Sequence, residues 1–165
     1  MNSLIITTLE QGLIFSVLAL GVFITYKLLD IPDLSVEGTF PFGAFIFIKF
    51  LQLGVNPIIA TLFAFIFGSF AGLLTATLFI KLKIQPILAG ILTMTILYSV
   101  NLKVAGQPNI SIFNENLIFD LGPKILILIA IVLLVKVLLD LFLKTEIGYL
   151  LVATGDNEHL TRSLG

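Results

Sequence analysis

The chain has 165 residues, of which 58% are hydrophobic and only 12% are charged, and its mean hydropathy is +1.15. Soluble domains are about half apolar and a quarter charged, so this sequence has too few polar residues to cover a water-exposed surface and is predicted to lie in lipid. The net charge of -1 and the lack of a basic tract argue against nucleic-acid binding, and a sequence without cysteine has neither disulfides nor thiolate sites.

Four apolar segments are long enough to cross a bilayer as helices. A spanning helix needs about 20 mostly apolar residues, because each residue advances it by about 1.5 Å through about 30 Å of hydrocarbon. Charge, proline or glycine bounds each segment, as expected at helix ends. The predicted spans are Leu4–Leu29, Pro57–Ile80, Pro86–Val104 and Gly122–Leu143. We interpret the first as a retained helix, since it lacks the basic start and the cleavage site of a signal peptide.

The region between the first two spans is unusual. Its apolar run of about 14 residues, Phe40–Leu53, is short for a straight crossing and follows a polar segment that contains prolines. One interpretation is a broken helix across IPDLSVEGTFPFG, inside the protein or along a water-filled path, because lipid cannot satisfy irregular backbone. Ser35, Glu37 and Thr39 would then line the path. The alternative is an ordinary polar loop over Asp30–Thr39 that precedes a short tilted helix.

Small residues form a stripe on the span that begins at Pro57. Ala64, Gly68, Gly72 and Ala76 recur every four residues and therefore share one helix face. Helices in lipid associate through close packing of small residues, so the stripe predicts a helix neighbour within the subunit or across a dimer. The feature suits any polytopic protein and does not by itself indicate transport.

Hydroxyl and amide side chains concentrate in the span that begins at Pro86. Thr93, Thr95, Tyr98 and Asn101 are the candidates for lining a route for a polar solute. The structural alternative is that these side chains hydrogen-bond one another and neighbouring helices, as serine and threonine often do inside membrane proteins.

The basic residues predict an orientation, because short loops rich in lysine and arginine favour the cytoplasmic side. The KLKIQP connection, with Lys81 and Lys83, is therefore predicted inside. The stretch Gly106–Leu121 contains acidic but no basic residues and is predicted outside. The polar C-terminal stretch then lies in the cytoplasm, and five crossings would place the N-terminus outside.

No catalytic or metal-binding set emerges from the sequence. It contains no phosphate-binding loop, no paired histidine and glutamate motif, and a single histidine, His159. Lys136 and Asp140 are four residues apart and can pair on one helix face. No cofactor is predicted for this chain, and if ATP drives it, a separate subunit must bind the ATP.

Four segments, in order, resemble the permease subunits of bacterial ABC importers of the aromatic-amino-acid and uncharacterised types, within the group that includes branched-chain amino-acid and ribose permeases. The segments are LLDIPDLSVEGTFPFGA, GVNP, KLKIQPILAGILTMTILYSVNLKVAGQPN and EIGYLLVATGDNEHLTRSLG. The resemblance implies an all-α, polytopic transmembrane helix bundle of about five hydrophobic segments in the cytoplasmic cell membrane. Permeases of this family are considerably longer, so residues 1–165 resemble the N-terminal part of a single, incomplete permease domain.

The resemblance also implies partners: an ATP-binding subunit, an extracytoplasmic solute-binding protein and a second permease subunit. In this family a cytoplasmic coupling helix contacts the ATPase, and residues 146–165 match that element. The side chains from Thr154 to Asn157 are typical of a turn or helix start, where polar oxygens cap free backbone N–H groups. The candidate coupling residues are Glu146, Gly148, Thr154, Gly155, Asp156, Asn157 and Arg162.

The resulting prediction is a permease subunit of an ATP-driven importer for a small solute such as an amino acid, rather than an enzyme. One alternative is a secondary transporter that works without an ATPase, which would usually place an ionisable group near mid-membrane. Another is a membrane scaffold fragment. The side chains that suit an amino acid also suit many other solutes.

Overall fold

The computed structural model describes residues 2–107, 110, 123–157 and 161, and this part of the chain is helical without strands. The helices are α1 (Asn2–Val22), α2 (Val36–Gln52), α3 (Pro57–Ile80), α4 (Pro86–Ala105), α5 (Lys124–Leu143) and α6 (Glu146–Asp156). A π-helical turn, Phe23–Leu28, continues α1. The all-α fold class is confirmed.

Four helical stretches among the described residues are long and apolar enough to cross a membrane: Leu4–Leu28, Pro57–Ile80, Pro86–Ala105 and Lys124–Leu143. These bounds agree with the four predicted spans to within two residues. The fifth hydrophobic segment is α2, which has 17 residues. At about 1.5 Å per residue it is shorter than the usual span.

The described helices form two compact units. One contains α1, the π-helical turn, α5 and α6, and the other contains α2, α3 and α4. The single permease domain predicted from the sequence remains a prediction.

In the three-helix unit, short polar connections set the helix ends. Asn56 caps α3 through its side-chain oxygen, which accepts a hydrogen bond from the Ile58 amide at 2.9 Å, and Pro57 occupies the first helical position. Gly54 precedes this cap with a φ of 78°, so the GVNP motif is a turn followed by a helix start. Gly106 ends α4 with a φ of 73°, a left-handed conformation that glycine adopts without strain.

The predicted broken helix is only partly observed. Non-helical backbone is confined to the stretch between Leu29 and Ser35, and α2 begins at Val36. Glu37, Thr39 and Pro41 therefore lie within α2 rather than in an irregular segment. The first turn forms because the Gly38 and Thr39 amides both donate to the Ser35 carbonyl at 2.9 Å. Pro41 lies inside α2, where it lacks the N–H that would bond to the Glu37 carbonyl and where its ring crowds that carbonyl.

Apolar side chains from all three helices form the core of this unit. Phe42 and Ile46 of α2 pack with Ala71 of α3 and Leu97 of α4. Phe50 stacks on Phe63, with ring centroids 4.4 Å apart. Aromatic pairs of this kind contribute about 0.5–1.5 kcal/mol beyond the area they bury.

Two close contacts show that α2 and α4 run in the same direction. A Cβ added to Gly90 would lie 2.7 Å from the Leu34 nitrogen, and one added to Gly38 would lie 2.8 Å from the Met94 Cα. Position 34, just before α2, is near position 90 of α4, and position 38 is near position 94, so the two helices are parallel. Parallel neighbours joined through α3 are expected of three successive membrane crossings.

In the other unit, α1 and α5 are also parallel. The start of α5 lies beside α1, where the Lys124 Nζ is 2.7 Å from the Glu10 Oε2. Beyond the end of α5, Gly155 of α6 abuts the backbone of Leu28, in the turn that continues α1. The helices α1 and α5 consequently run in the same direction. A sharp turn separates α5 from α6, where Thr145 caps α6 by accepting from the Gly148 amide at 3.2 Å.

Candidate functional site

A partly open cavity of about 610 Å³ lies in the three-helix unit, within the size range of small-molecule sites. Residues of α2 and α4 line it: Glu37, Gly38, Pro41, Phe45, Met94, Thr95, Tyr98, Asn101 and Leu102. On each helix the lining residues recur about once per turn, some of them as adjacent pairs. One face of α2 and one face of α4 therefore form the walls of the cavity.

Four of the seven predicted path-lining residues come together at this cavity: Glu37, Thr95, Tyr98 and Asn101. Asn101 is buried, with 5% exposure, whereas Tyr98 is 64% exposed. The Thr95 hydroxyl donates to the Ile91 carbonyl at 2.8 Å. Its remaining lone pairs can accept, so Thr95 presents acceptor rather than donor chemistry.

The other three predicted path residues lie elsewhere in the same unit. Thr93 is fully buried and its hydroxyl lies 3.0 Å from that of Thr75, which is a polar contact between α3 and α4. Ser35 is 3% exposed at the start of α2, and its amide donates to the Asp33 carboxylate at 2.8 Å. The Thr39 hydroxyl is 3.4 Å from the Val36 carbonyl. The contact of Thr93 with Thr75 agrees with the structural alternative for the α4 hydroxyls, and a path-lining role for Ser35, Thr39 and Thr93 remains a prediction.

Sequence reasoning missed the two glycines that bring α2 and α4 together, Gly38 and Gly90, and the apolar cavity wall of Phe45, Met94 and Leu102. A signal was available for the wall. Glu37, Pro41 and Phe45 recur every four residues on α2, and Met94, Tyr98 and Leu102 do so on α4. Helical periodicity therefore predicts that each set shares one helix face. Glycine spacing offered no comparable signal, because the chain has 13 glycines and a Cβ would meet nothing within 4 Å at six of the 11 that the structure describes.

The predicted coupling residues lie on α6 or beyond it, and their local structure differs from the expectation. The predicted turn or helix start over Thr154–Asn157 is wrong for the first three residues, since Thr154, Gly155 and Asp156 form the last turn of α6 and Asn157 follows it. The Thr154 hydroxyl donates back to the Leu150 carbonyl at 2.7 Å rather than capping a new helix. At Asn157 the prediction agrees better with the structure, because this residue is extended and its carbonyl accepts from the Thr161 amide at 3.1 Å. The start of α6 itself is capped by Thr145, which the sequence analysis does not identify.

Two further predicted coupling residues have structural contacts. Glu146 is in the first turn of α6, where a negative charge is favourable, and Gly148 packs against the backbone of Phe142 and Leu143. Arg162 lies outside the described residues, as do His159 and most of the acidic connection before α5.

The small-residue stripe of α3 divides between two environments. Ala64 packs against the core of the unit, whereas a Cβ at Gly68 or Gly72 would meet nothing within 4 Å among the described residues. The residues of α3 that turn inward are instead Ala60, Ala71 and Thr75. The close neighbour predicted for Gly68, Gly72 and Ala76 remains a prediction.

The charged pair predicted on α5 is present. The Lys136 Nζ lies 2.6 Å from the Asp140 Oδ2, and both side chains are about half exposed. Exposed pairs of this spacing contribute little to stability in water, about 0.3–0.5 kcal/mol.

The chain matches the family described as branched-chain amino acid transport system / permease component over residues 4–165. It belongs to this family. The family describes a transport permease, and together with four apolar helices it makes the chain a multi-pass membrane protein.

Two curated relatives extend the comparison. The chain is 48% identical over 163 residues to a "Tyrosine transport system permease protein" of Clostridioides difficile (strain R20291), covering 98% of this chain and 55% of the relative. It is 37% identical over 166 residues to an uncharacterized protein of Rickettsia prowazekii (strain Madrid E), covering 99% of this chain and 59% of the relative. The chain therefore spans little more than half the length of these relatives. No solved structure matches it.

Proposed function

We propose that this chain forms part of the permease subunit of an ATP-driven importer in the cytoplasmic membrane, and that the solute is an amino acid. The observation that carries the proposal is the family match over residues 4–165, which is supported by 48% identity to a tyrosine transport permease. The partners would be an ATP-binding subunit, an extracytoplasmic solute-binding protein and a second permease subunit.

The proposal assigns separate tasks to the two described units. The cavity between α2 and α4 offers polar and apolar groups to a small solute, and α6 with the residues after it offers a contact for the ATPase. On α6 the exposed side chains include Ile147, Tyr149 and Leu150, beside the acidic residues Glu146 and Asp156. Exposed apolar residues with a charged rim are typical of protein interaction surfaces. ATP binding would shift the permease between two access states by favouring one arrangement of α6.

An ATP-independent secondary transporter is the second candidate, and the observation that favours it is Lys136. This residue is the thirteenth of the 20 in α5, about 4 Å from the helix midpoint at 1.5 Å per residue. Ionisable groups at such depth often take part in ion coupling. Its ion pair with Asp140 is the structural explanation.

Site-directed crosslinking in membranes tests the proposal. The full-length permease, with cysteines elsewhere replaced, would be co-expressed with its candidate ATPase and would carry Asp156→Cys, labelled with a photo-crosslinker. The matched control is Gln107→Cys, an exposed position predicted on the opposite side of the membrane. We expect an ATPase crosslink from position 156 that changes in yield on ATP binding, and none from position 107. Failure of position 156 to meet an ATPase, with uptake driven by an ion gradient, would favour the second candidate.

A further inference from the structure

Asn101 presents an unsatisfied acceptor at the cavity between α2 and α4. The residue is 5% exposed, and its Oδ1 is buried without a hydrogen-bond partner among the described residues. A buried polar atom left unpaired costs about 1–3 kcal/mol, so such an atom in a native protein calls for an explanation. Asn101 also lines the cavity, which places a donor from a ligand within reach.

Other groups at the cavity accept hydrogen bonds as well. Glu37 carries a carboxylate, which only accepts when ionised, and the Thr95 proton is already engaged by the Ile91 carbonyl. Pro41 lacks an N–H, so the Glu37 carbonyl also loses the bond that residue 41 of a helix normally donates to it. No lysine or arginine is among the described residues that line this cavity. The Tyr98 hydroxyl and the Asn101 amide nitrogen can also donate, but Glu37 is the one charged residue among the described residues of the lining. A ligand group that matches the Asn101 oxygen and this carboxylate together is a donor with positive charge.

The remainder of the cavity is apolar. Phe45, Met94 and Leu102 line it, and the Tyr98 ring adds an aromatic face. Aromatic and thioether side chains pack well against aliphatic and aromatic groups and also attract a nearby cation. The size of about 610 Å³ suits a molecule of amino-acid size with room for water.

We propose that the cavity binds the primary ammonium group of a small solute with an apolar or aromatic body, and that Asn101 Oδ1 and Glu37 accept its protons. The proposal rests on the proposed function, because the occupant is taken to be the transported solute. It adds which end of the solute is recognised and by which residues.

The test measures occupancy of the cavity without ATP or transport. Leu102→Cys would serve as a reporter in the full-length permease, in nanodiscs of phosphatidylcholine and phosphatidylglycerol, which carry no primary ammonium group. The rate of thiol labelling is measured with L-tyrosine, with tyramine, which lacks the carboxylate, and with hydroxyphenylpropionate, which lacks the ammonium. Ile91→Cys, exposed on the same helix but outside the cavity, is the control reporter.

We expect tyrosine and tyramine to slow labelling of the Leu102→Cys reporter, hydroxyphenylpropionate to have little effect, and the Ile91→Cys reporter to be insensitive to all three. Adding Asn101→Leu should weaken protection about tenfold or more, the scale of one hydrogen bond to a charged group. Asn101→Asp retains an acceptor and should preserve protection. Glu37→Gln should weaken it.

Equal protection by hydroxyphenylpropionate would overturn the proposal, as would full protection in the Asn101→Leu variant. Labelling that no solute slows would also overturn it. That outcome is expected if a lysine from the rest of the subunit donates to the Asn101 Oδ1 in place of a solute. If Asn101→Leu does not fold, the three solutes on the otherwise unaltered cavity still decide the question. An ATPase crosslink at position 156 is scored independently, so the importer can be supported while the ammonium site fails.

Discussion

Gly90 is the residue of α4 that allows the start of α2 to approach. A Cβ there would lie 2.7 Å from the Leu34 nitrogen, 3.0 Å from the Ser35 nitrogen and 3.1 Å from the Asp33 Oδ1. The first two are backbone atoms, and Asp33 is held by its hydrogen bond to the Ser35 amide, so none of the three yields easily. The absence of a side chain at position 90 thus leaves room for the backbone that leads into α2.

We therefore expect Gly90→Ala to destabilise the full-length permease by about 1–3 kcal/mol, the usual cost of overpacking a well-packed contact. The measurement is thermal unfolding in detergent, followed by far-ultraviolet circular dichroism. The matched control is Gly12→Ala in α1, where a Cβ meets nothing within 4 Å among the described residues and where alanine favours the helix by about 1 kcal/mol. Equal melting temperatures for the two variants would contradict the contact at Gly90.

At the scale of elements, α6 and the π-helical turn form a second contact that depends on glycine. The backbone of Leu28 occupies the space that a Cβ of Gly155 would need, and the Leu29 Cα lies 3.1 Å from that position. Short π-helical segments within α-helices are uncommon and frequently occur at functional sites. Here the turn connects α1 to the stretch that leads into α2, so the last turn of α6 contacts the chain a few residues before the cavity-lining helix begins.

Gly155→Ala is expected to displace the last turn of α6 from the π-helical turn, because a backbone carbonyl cannot move as freely as a side chain. Backbone amides around Leu28 and at the end of α6 should then exchange hydrogen about tenfold faster or more, since each loss of about 1.4 kcal/mol in local stability gives a tenfold change. Hydrogen–deuterium exchange with mass spectrometry measures this. Ala153→Ser, at an exposed position of α6, is the control. Unchanged exchange in both variants would show that the contact does not hold α6.

The sequence predicted elements better than contacts, for a physical reason. Hydrophobic length and bounding prolines or glycines act locally, so the ends of α3, at Pro57 and Ile80, matched the prediction. The predicted path-lining residues differ in their hydrogen bonds. A threonine in a membrane helix satisfies its hydroxyl either against a neighbouring helix, as Thr93 does, or against its own backbone, as Thr95 does beside the cavity. Only the rotation of α4 relative to α2 and α3 separates these cases, and the sequence does not specify it directly.

For the whole molecule, the direction of the helices within each unit agrees with a chain that crosses the membrane once at each of α1 to α5, and the side that each loop faces remains a prediction. In one unit α2 and α4 run parallel, and in the other α1 and α5 do. A chain that crosses the membrane at each of α1 to α5 requires both relations, because odd-numbered helices then share one direction and even-numbered helices the other. We therefore expect α2 to cross the membrane despite its 17 residues.

This arrangement predicts the side of the membrane on which three exposed positions lie. Lys83→Cys, between α3 and α4, and Asp156→Cys, in α6, should react with a membrane-impermeant maleimide only from the cytoplasmic side, because Lys81 and Lys83 favour that side and α5 returns the chain to it. Gln107→Cys, after α4, should react only from outside. Labelling of intact cells and of inverted vesicles measures the three positions separately. Reaction of positions 83 and 107 from one side would show that α4 does not cross, whereas reaction of position 156 from outside would remove α6 from contact with any cytoplasmic ATPase.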